Sequence, residues 1–270
     1  MSKPEIHPQG VVAPGARLAA GVKVGPFASI GEGVELGEGC QVHAHAVVQG
    51  PSTFGCGNVF HPFCVIGGDP QDYTFGGERT ELRVGEENVF REYVTVSRGT
   101  KKGGGVTRIG DKNFFLAYTH IGHDCQIGNS ILFVNAATLA GHVTIEDFAT
   151  IGALSPVHQF CRVGTLAIMQ GGSAISKDLP PFSVAMRVNE MCGLNSVGLR
   201  RAGSTAGQRL ELKRLYHLLF RSGKNLREAL DEAKKIFSSD LAKVLLDFLS
   251  VAKRGVCADV GHAPLESEEE

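Results

Sequence analysis

The sequence lacks tryptophan, a strong net charge and any apolar run long enough to cross a bilayer. Its formal net charge is −1 at pH 7 over 270 residues. A nearly neutral chain gives no reason to expect a nucleic-acid partner or an anionic membrane surface. The absence of a run of about 20 apolar residues argues against a transmembrane segment. Residues 1–5 also lack the apolar stretch of a signal peptide, so we expect a cytoplasmic protein.

Paired cysteines are missing too, since the seven cysteines form no CxxC motif and their number is odd. We therefore expect neither a disulfide framework nor a cysteine-based zinc site. Cysteine instead shares one place of the sequence repeat with alanine and serine, which is typical of a small interior side chain. The cysteines at that place are Cys40, Cys64, Cys125 and Cys161.

An apolar residue returns at every sixth position through most of the chain. The run extends from Ile6 to Ile66, resumes from Val84 to Val96, and continues from Ile109 to Ile175. No helix or ordinary strand has a period of six, whereas a coil of three short strands with tight corners does. The repeat therefore predicts a mainly β protein, a hexapeptide-repeat parallel β-helix. Residues about 18 apart should then stack one above the other, roughly 4.8 Å apart.

The interruptions of the repeat predict the organisation of the chain. We expect a β-helix over 1–178 with inserts at 68–83 and 98–107, and long loops on such a scaffold often carry function. A crossing segment is expected over 179–203 and a helical domain over 204–256, where the apolar period becomes that of a helix. We expect Asn225, with Glu228 three residues later, to cap its second helix and Asp240 its third. The acidic tail, 257–270, is predicted to be disordered.

Several histidines share one face of the predicted solenoid, because the hexads that contain them lie 18 residues apart. The polar residues that this stacking gathers on one edge are His120, His123, Asp124, His142, His158 and Gln159. An imidazole with a pKa near neutrality can take a proton from a hydroxyl nucleophile. Neutral imidazole is also the commonest transition-metal ligand. The residues by themselves leave both a general base and a metal site open.

Several motifs resemble one family in order and spacing along nearly the whole chain. They are residues 120–125, 135–143 and 157–161, Pro70-Gln71-Asp72, Arg98-Gly99-Thr100 ahead of a glycine triplet, Asn195, and Gly198-Leu199-Arg200-Arg201. Together they resemble the acyl-ACP–UDP-N-acetylglucosamine O-acyltransferases, where ACP is acyl carrier protein. These enzymes catalyse the first step of lipid A biosynthesis.

The resemblance implies a left-handed β-helix with a C-terminal α-helical domain, assembled as a homotrimer with active sites between subunits. It implies transfer of an R-3-hydroxyacyl chain from ACP to the 3-position of UDP-N-acetylglucosamine, with no metal and no tightly bound cofactor. His123 resembles the general base and Asp124 the group that orients it. The backbone N–H of Gly141 would stabilise the oxyanion.

The resemblance also implies substrate contacts. Those to the sugar and the acyl group fall on Gln71, Asp72, His120 and His142, and those to the nucleotide on His158, Gln159, Asn195 and Arg201. Gly171 falls where the family gauges acyl length, and glycine leaves room for a longer chain. Carrier docking requires basic groups, and the candidates are Arg162, Arg200, Lys213 and Arg214.

Four positions depart from the family pattern. Ser97 replaces an expected histidine, Thr74 replaces a frequent lysine, and Val197 and Ala202 replace residues that are often charged. The changes at Ser97 and Thr74 suggest a second hypothesis for the acceptor, a 3-amino sugar nucleotide, which would give an amide product. Three rival functions stay open as well: the N-acyltransferase that acts later in the same pathway, a trimeric zinc carbonic anhydrase of the hexapeptide type, and a non-catalytic solenoid scaffold.

Overall fold

The computed structural model describes residues 3–261, and its dominant feature is a three-sided parallel coil. The strands, in chain order, are β1 Glu5–Ile6, β2 Val11–Val12, β3 Arg17–Leu18, β4 Lys23–Val24, β5 Ser29–Ile30, β6 Val34–Leu36, β7 Gln41–Val42, β8 Val47–Val48, β9 Ser52–Phe54, β10 Val59–Phe60, β11 Val65–Gly68, β12 Glu81–Val84, β13 Val89–Phe90, β14 Thr95–Ser97, β15 Val106–Ile109, β16 Phe114–Phe115, β17 His120–Ile121, β18 Gln126–Ile127, β19 Leu132–Phe133, β20 Thr138–Leu139, β21 Thr144–Ile145, β22 Thr150–Ile151, β23 Pro156–Val157, β24 Arg162–Val163, β25 Ile168–Met169, β26 Ser183–Met186, β27 Glu190–Leu194 and β28 Ala258–Asp259.

Successive strands belong to three different sheets, as a period of three hexads requires. The first sheet runs from β1 through every third strand to β25 and then adds β26, β27 and β28. The second runs from β2 to β23 and the third from β3 to β24, again by every third strand. Strands 18 residues apart pair in parallel, for example Glu5 with Lys23. The molecule is thus a left-handed parallel β-helix.

The core lies inside the coil, where the repeating apolar residue of each hexad points. Phe60, Phe90, Phe115 and Phe133 are fully buried and stack with centroid separations of 5.4, 4.9 and 4.8 Å. Stacking of equivalent side chains on successive coils therefore fills the interior.

A ladder of buried asparagines runs inside one corner beside this core. The backbone and side-chain N–H groups of Asn88 donate to Asn58 Oδ1 at 3.0 Å. Those of Asn113 donate to Asn88 Oδ1 at 2.9 Å, and Ile131 N–H donates to Asn113 Oδ1 at 2.9 Å. The ladder connects side chains that are 30 and 25 residues apart, because the two inserts lie between them.

The segment after the coil is more regular than a simple crossing. β26 and β27 form an antiparallel pair that extends the first sheet, and helix α1 (Ser196–Arg201) follows. The helical domain contains α2 (Ala206–Phe220), α3 (Leu226–Ile236) and α4 (Asp240–Ser250). Asn225 caps α3 through Glu228 N–H, as expected. The cap of α4 is Ser239, one residue before the expected Asp240, because the Ser239 hydroxyl accepts from Ala242 N–H.

The chain after α4 differs from the prediction of disorder from residue 257. Cys257 is buried, and β28 pairs with β27. Asp259 accepts a 2.7 Å hydrogen bond from the Tyr216 hydroxyl of α2 and pairs with Arg221. The rest of the predicted tail, 262–270, lies outside the described residues. Among residues 3–261, no helix is long and apolar enough to cross a membrane.

Candidate active site

The features that carry chemistry lie on one corner of the coil, where the chain passes from the second sheet to the third. We call this corner the insert edge. The first insert leaves it between β11 and β12, and the second between β14 and β15. The next three coils place there Asp124, His142 and Phe160, whose φ angles are 61°, 62° and 65°. Two loops and a column of polar turns therefore meet on the insert edge.

His123 and Asp124 form a close polar pair on this edge. His123 Nδ1 lies 2.8 Å from Asp124 Oδ2, and the Asp124 side chain is only 1% exposed. A carboxylate accepts hydrogen bonds, so Nδ1 of a neutral His123 ring carries the proton and donates a hydrogen bond to Asp124 Oδ2. The other nitrogen, Nε2, is then the free basic nitrogen. The pair thus has the arrangement of a general base held by a carboxylate.

The second insert supplies two further donors to the same carboxylate. Thr100 donates its backbone N–H to Asp124 Oδ1 at 2.8 Å and its hydroxyl to Oδ2 at 2.7 Å. Gly103 packs so closely that a Cβ there would lie 2.1 Å from Asp124 Cγ. The sequence marked Thr100 and Gly103 only as parts of a motif. The structure shows that they fix and enclose the carboxylate.

Gly141 borders the imidazole of His123 from the next coil. A Cβ at this position would lie 2.5 Å from His123 Cε1 and 2.7 Å from Nε2, so only glycine allows the ring to occupy its present place. Within residues 3–261 the Gly141 N–H donates to no other group. The turn therefore presents a backbone donor beside the base.

Two more imidazoles flank the base, as the stacking of hexads predicted. The His123 and His142 rings meet edge to face at 5.1 Å, and His142 stacks on Phe160 at 4.4 Å. His120 Nδ1 lies 2.7 Å from the Thr95 hydroxyl. Burial lowers the pKa of both His120 and His142, and the nearby His123 lowers them further. Both flanking rings are thus neutral near pH 7.

A metal ion would find three ligand atoms here, since His123, Asp124 and His142 each place one within 4.8 Å of the others. The hydrogen bonds argue against that use. His123 Nδ1 is directed at Asp124 Oδ2, which also accepts from Thr100, and His142 Nε2 lies 3.7 Å from the same oxygen. These groups form a closed polar network, and the donor set therefore fits proton transfer better than metal binding.

The first insert brings Gln71 and Asp72 to the insert edge, where Gln71 is exposed and Asp72 is partly exposed. Asp72 Oδ1 accepts from the backbone N–H and the hydroxyl of Thr74 at 2.8 and 2.9 Å. These hydrogen bonds lower the pKa of Asp72, and the charges of His123 and Lys102 lower it further. Asp72 is thus an ionised acceptor close to the base.

His158 and Gln159 are exposed one coil further along the same edge. His158 Nδ1 lies 3.1 Å from Arg254 Nη2, a residue 96 positions away that the sequence did not mark. Arginine only donates, so Nδ1 is the acceptor in this contact. His158 contacts Arg254, whereas His120 and His142 group around His123.

Three predicted residues lie away from the insert edge. Asn195 is buried and caps α1, with Oδ1 accepting from Gly198 N–H at 2.8 Å and Nδ2 donating to the Leu166 carbonyl at 2.9 Å. Arg201 is exposed at the end of α1. Gly171 is exposed at a different corner, the one between the first and second sheets.

One of the docking candidates, Arg162, makes contacts within the chain. It pairs with Asp178 at 3.2 Å, donates to the Phe248 carbonyl at 2.6 Å, and places its guanidinium 3.8 Å from the centre of the Phe248 ring. These contacts join the β-helix to α4, so Arg162 has a structural use that its charge alone did not reveal. Arg200, Lys213 and Arg214 are exposed on the helical part.

Comparison with known proteins identifies the family. A profile described as "Udp N-acetylglucosamine O-acyltransferase; Domain 2" matches residues 178–257, and one for the bacterial transferase hexapeptide matches 11–50. The acyl-[acyl-carrier-protein]–UDP-N-acetylglucosamine O-acyltransferase of Alkalilimnicola ehrlichii is 47% identical over 254 residues, which are 93% of this chain and 98% of that protein. The chain belongs to this acyltransferase family.

Other members agree with this assignment. The O-acyltransferase of the same name from Stenotrophomonas maltophilia is 46% identical over 93% of this chain and 97% of that protein. The UDP-N-acetylglucosamine acyltransferase of Francisella novicida has a TM-score of 0.91 at 36% identity, covering 94% of both chains. A Bacteroides fragilis acyltransferase has a TM-score of 0.90 at 35% identity, covering 93% and 99%.

Membership of the O-acyltransferase family confirms the resemblance and the β-helical fold that the sequence predicted. The relatives are named for an O-acyl transfer, so the comparisons do not favour a 3-amino acceptor or a zinc carbonic anhydrase.

Proposed function

We propose that this chain transfers an R-3-hydroxyacyl group from acyl carrier protein to the 3-hydroxyl of UDP-N-acetylglucosamine, the first step of lipid A biosynthesis. The observation that carries the proposal is the His123–Asp124 pair, 2.8 Å apart, whose carboxylate is buried and held by Thr100. The names of the family members supply the substrates.

In the proposed reaction, His123 Nε2 takes the proton of the sugar 3-hydroxyl as its oxygen attacks the thioester carbon of the donor. Asp124 stabilises the imidazolium that forms, because its charge lies at hydrogen-bond distance from Nδ1. The negative charge on the carbonyl oxygen is stabilised by the Gly141 N–H. The carbon–sulfur bond then breaks, and the imidazolium returns its proton to the departing thiolate. No covalent enzyme intermediate is needed.

The neighbouring groups suit substrate binding. His120 and His142 are neutral, so they offer hydrogen bonds without competing for the proton that His123 transfers. Asp72 and Gln71 lie on the first insert, where the sugar would approach the base. His158, Gln159 and Arg201 are exposed and suit the nucleotide, since arginine binds phosphate through two parallel donors. Asn195 would contribute indirectly, by fixing the start of α1.

We propose a homotrimer with sites between subunits. Gly171, the expected gauge of acyl length, lies on a different corner from His123, so a cleft containing both would require two copies of the chain. The corner of Gly171 also carries a column of exposed aromatic rings, in which Phe63, Tyr93 and Tyr118 are 46%, 45% and 62% exposed. Contiguous exposed apolar surface of this kind suits a protein interface. The proposed donor and acceptor also place the enzyme in the cytoplasm.

The test is product formation from UDP-N-acetylglucosamine and R-3-hydroxyacyl carrier proteins of several chain lengths. The wild type should be active, and His123→Ala should lose about a hundredfold or more, as expected for removal of a general base. His7→Ala changes an exposed histidine far along the coil and should retain activity. An inactive wild type, or a fully active His123→Ala, would contradict the proposal.

A further inference from the structure

The two inserts contact each other at several points, and the contact at their tips involves a lysine. At their base, the buried Arg98 donates to the Gly67 carbonyl at 2.7 Å and pairs with Asp69. At their tips, Lys102 Nζ donates to the Thr74 hydroxyl at 3.1 Å. The inserts thus form one connected wall beside His123.

The position of Lys102 depends on the residue that also holds the Asp124 carboxylate. Lys102 belongs to a short 3₁₀ turn, Lys101–Gly103, and the Thr100 side chain caps this turn by accepting from Gly103 N–H. The same Thr100 side chain donates to Asp124 Oδ2. Thr100 therefore connects the turn that carries the Lys102 ammonium to the carboxylate behind His123, so the ammonium is held at a fixed place relative to His123.

Lys102 and Asp72 offer complementary hydrogen-bonding groups at the surface. An ammonium has three N–H donors, and within residues 3–261 one of them is used, by Thr74. Asp72 Oδ1 accepts from Thr74, whereas Asp72 Oδ2 accepts from no group in that range. A cationic donor and an anionic acceptor thus lie on either side of one threonine. Neighbouring hydroxyls of a pyranose ring, each of which both donates and accepts, match this pair.

We infer that Lys102 is a specificity-determining residue that binds ring hydroxyls of the acceptor sugar together with Asp72. The inference rests on the proposed function. It assigns to the second insert two separate tasks, since Thr100 holds the carboxylate behind the base while Lys102 holds the substrate in front of it.

The test uses Lys102→Met, which keeps most of the length of the side chain and removes the charge. Lys101→Met is the matched control, because Lys101 is the adjacent exposed lysine of the same turn and lies near Glu78 instead of Asp72. Binding of UDP-N-acetylglucosamine and of UDP alone is measured by calorimetry without the acyl donor. The KM values for both substrates and kcat are then measured separately.

Lys102→Met should weaken UDP-N-acetylglucosamine binding by about tenfold or more, as loss of a charged hydrogen bond predicts. Binding of UDP alone, the KM for the acyl carrier protein and the thermal midpoint should stay near wild type. Lys101→Met should bind the sugar nucleotide normally, and Lys102→Arg should recover part of the affinity. This recovery would distinguish a contact to the sugar from a merely structural effect on the turn.

Three outcomes would overturn the inference. Equal binding by Lys102→Met and Lys101→Met would show that the ammonium does not contact the sugar. An equal loss for UDP and UDP-N-acetylglucosamine would assign the ammonium to a phosphate instead. If the wild type binds UDP-N-acetylglucosamine and Lys102→Met binds it with the same affinity, only this inference is overturned. If the wild type does not bind UDP-N-acetylglucosamine, the proposed function is overturned as well.

Discussion

Replacing Thr100 with valine would test whether the second insert acts on the base through Asp124. The change keeps the shape of a side chain that is only 4% exposed and removes the hydroxyl that donates to Asp124 Oδ2 at 2.7 Å. The backbone donor from residue 100 to Oδ1 remains. A hydrogen bond to a buried charged group contributes about 1.5–3 kcal/mol. The free energy of unfolding of the valine variant should therefore be lower by about that amount, and its urea midpoint should be lower too.

The kinetic consequence follows from the position of the lost donor. Oδ2 also accepts from His123 Nδ1, so a carboxylate with one donor fewer is less firmly oriented behind the base. We expect kcat to fall by about tenfold, which corresponds to about 1.4 kcal/mol, with little change in the KM of either substrate.

The assay is steady-state acyl transfer, with stability measured by urea unfolding. Thr53→Val serves as the control, since it makes the same chemical change on an exposed position of the third sheet. If Thr100→Val matched Thr53→Val in kcat, Thr100 would have no part in positioning the base. A loss of stability without a kinetic change would likewise contradict the reasoning.

Two further predictions concern the rings around the base. Gly141→Ala places a Cβ about where the His123 ring lies, so the ring must move. The single-turnover rate should fall by about a hundredfold, as a misplacement of about 1 Å predicts. A rate near that of the wild type would contradict this. The pKa of His120 is lower in the folded state, so below about pH 6.5 the unfolded chain binds the proton more readily than the folded chain does. The free energy of unfolding must therefore decrease as the pH falls through this range. Between about pH 7.5 and 5.5, the free energy of unfolding should decrease less for His120→Gln than for the wild type, as measured by urea unfolding. An equal decrease would assign the pH dependence of stability to other groups.

The period of six predicted the coil and, through it, the meeting of His123 with His142. Strand pairing at 18 residues is a local rule repeated many times, so the rule transfers directly from the sequence to distances between neighbouring coils. The family resemblance implied that Asp124 orients His123, and the two side chains lie 2.8 Å apart. Contacts within and between adjacent coils were thus the predictable part of the site.

Contacts that leave the period were not predictable in the same way. Thr100 reaches Asp124 from an insert that breaks the repeat, and Arg254 reaches His158 across 96 positions. Thr74 was noted only as a departure from a frequent lysine, and the structure shows a lysine from the other insert, Lys102, in contact with it. A period carries no information about where an irregular loop or a terminal segment folds back.

Charge, polarity and resemblance also left the contacts of some side chains within the chain undetermined. Arg162 was a candidate for carrier docking, and the structure shows that it connects the coil to α4 through Asp178 and Phe248. The resemblance assigned Asn195 to the nucleotide, and the structure shows that both of its polar side-chain groups are used within the chain. Whether such a group faces a ligand or closes a domain contact depends on packing between elements that the repeat does not determine.

The buried asparagine ladder has a consequence for how such a repetitive chain selects one alignment. Coils of similar hexads can in principle slide past each other by whole repeats and still bury apolar side chains. Asn58, Asn88 and Asn113 satisfy one another only when the two insert-bearing coils stack in their native order. A slipped alignment would break these amide-to-amide hydrogen bonds, each of which contributes about 0.5–1.5 kcal/mol. The ladder thereby disfavours misaligned coils and favours the single alignment in which the two loops lie beside the His123–Asp124 pair.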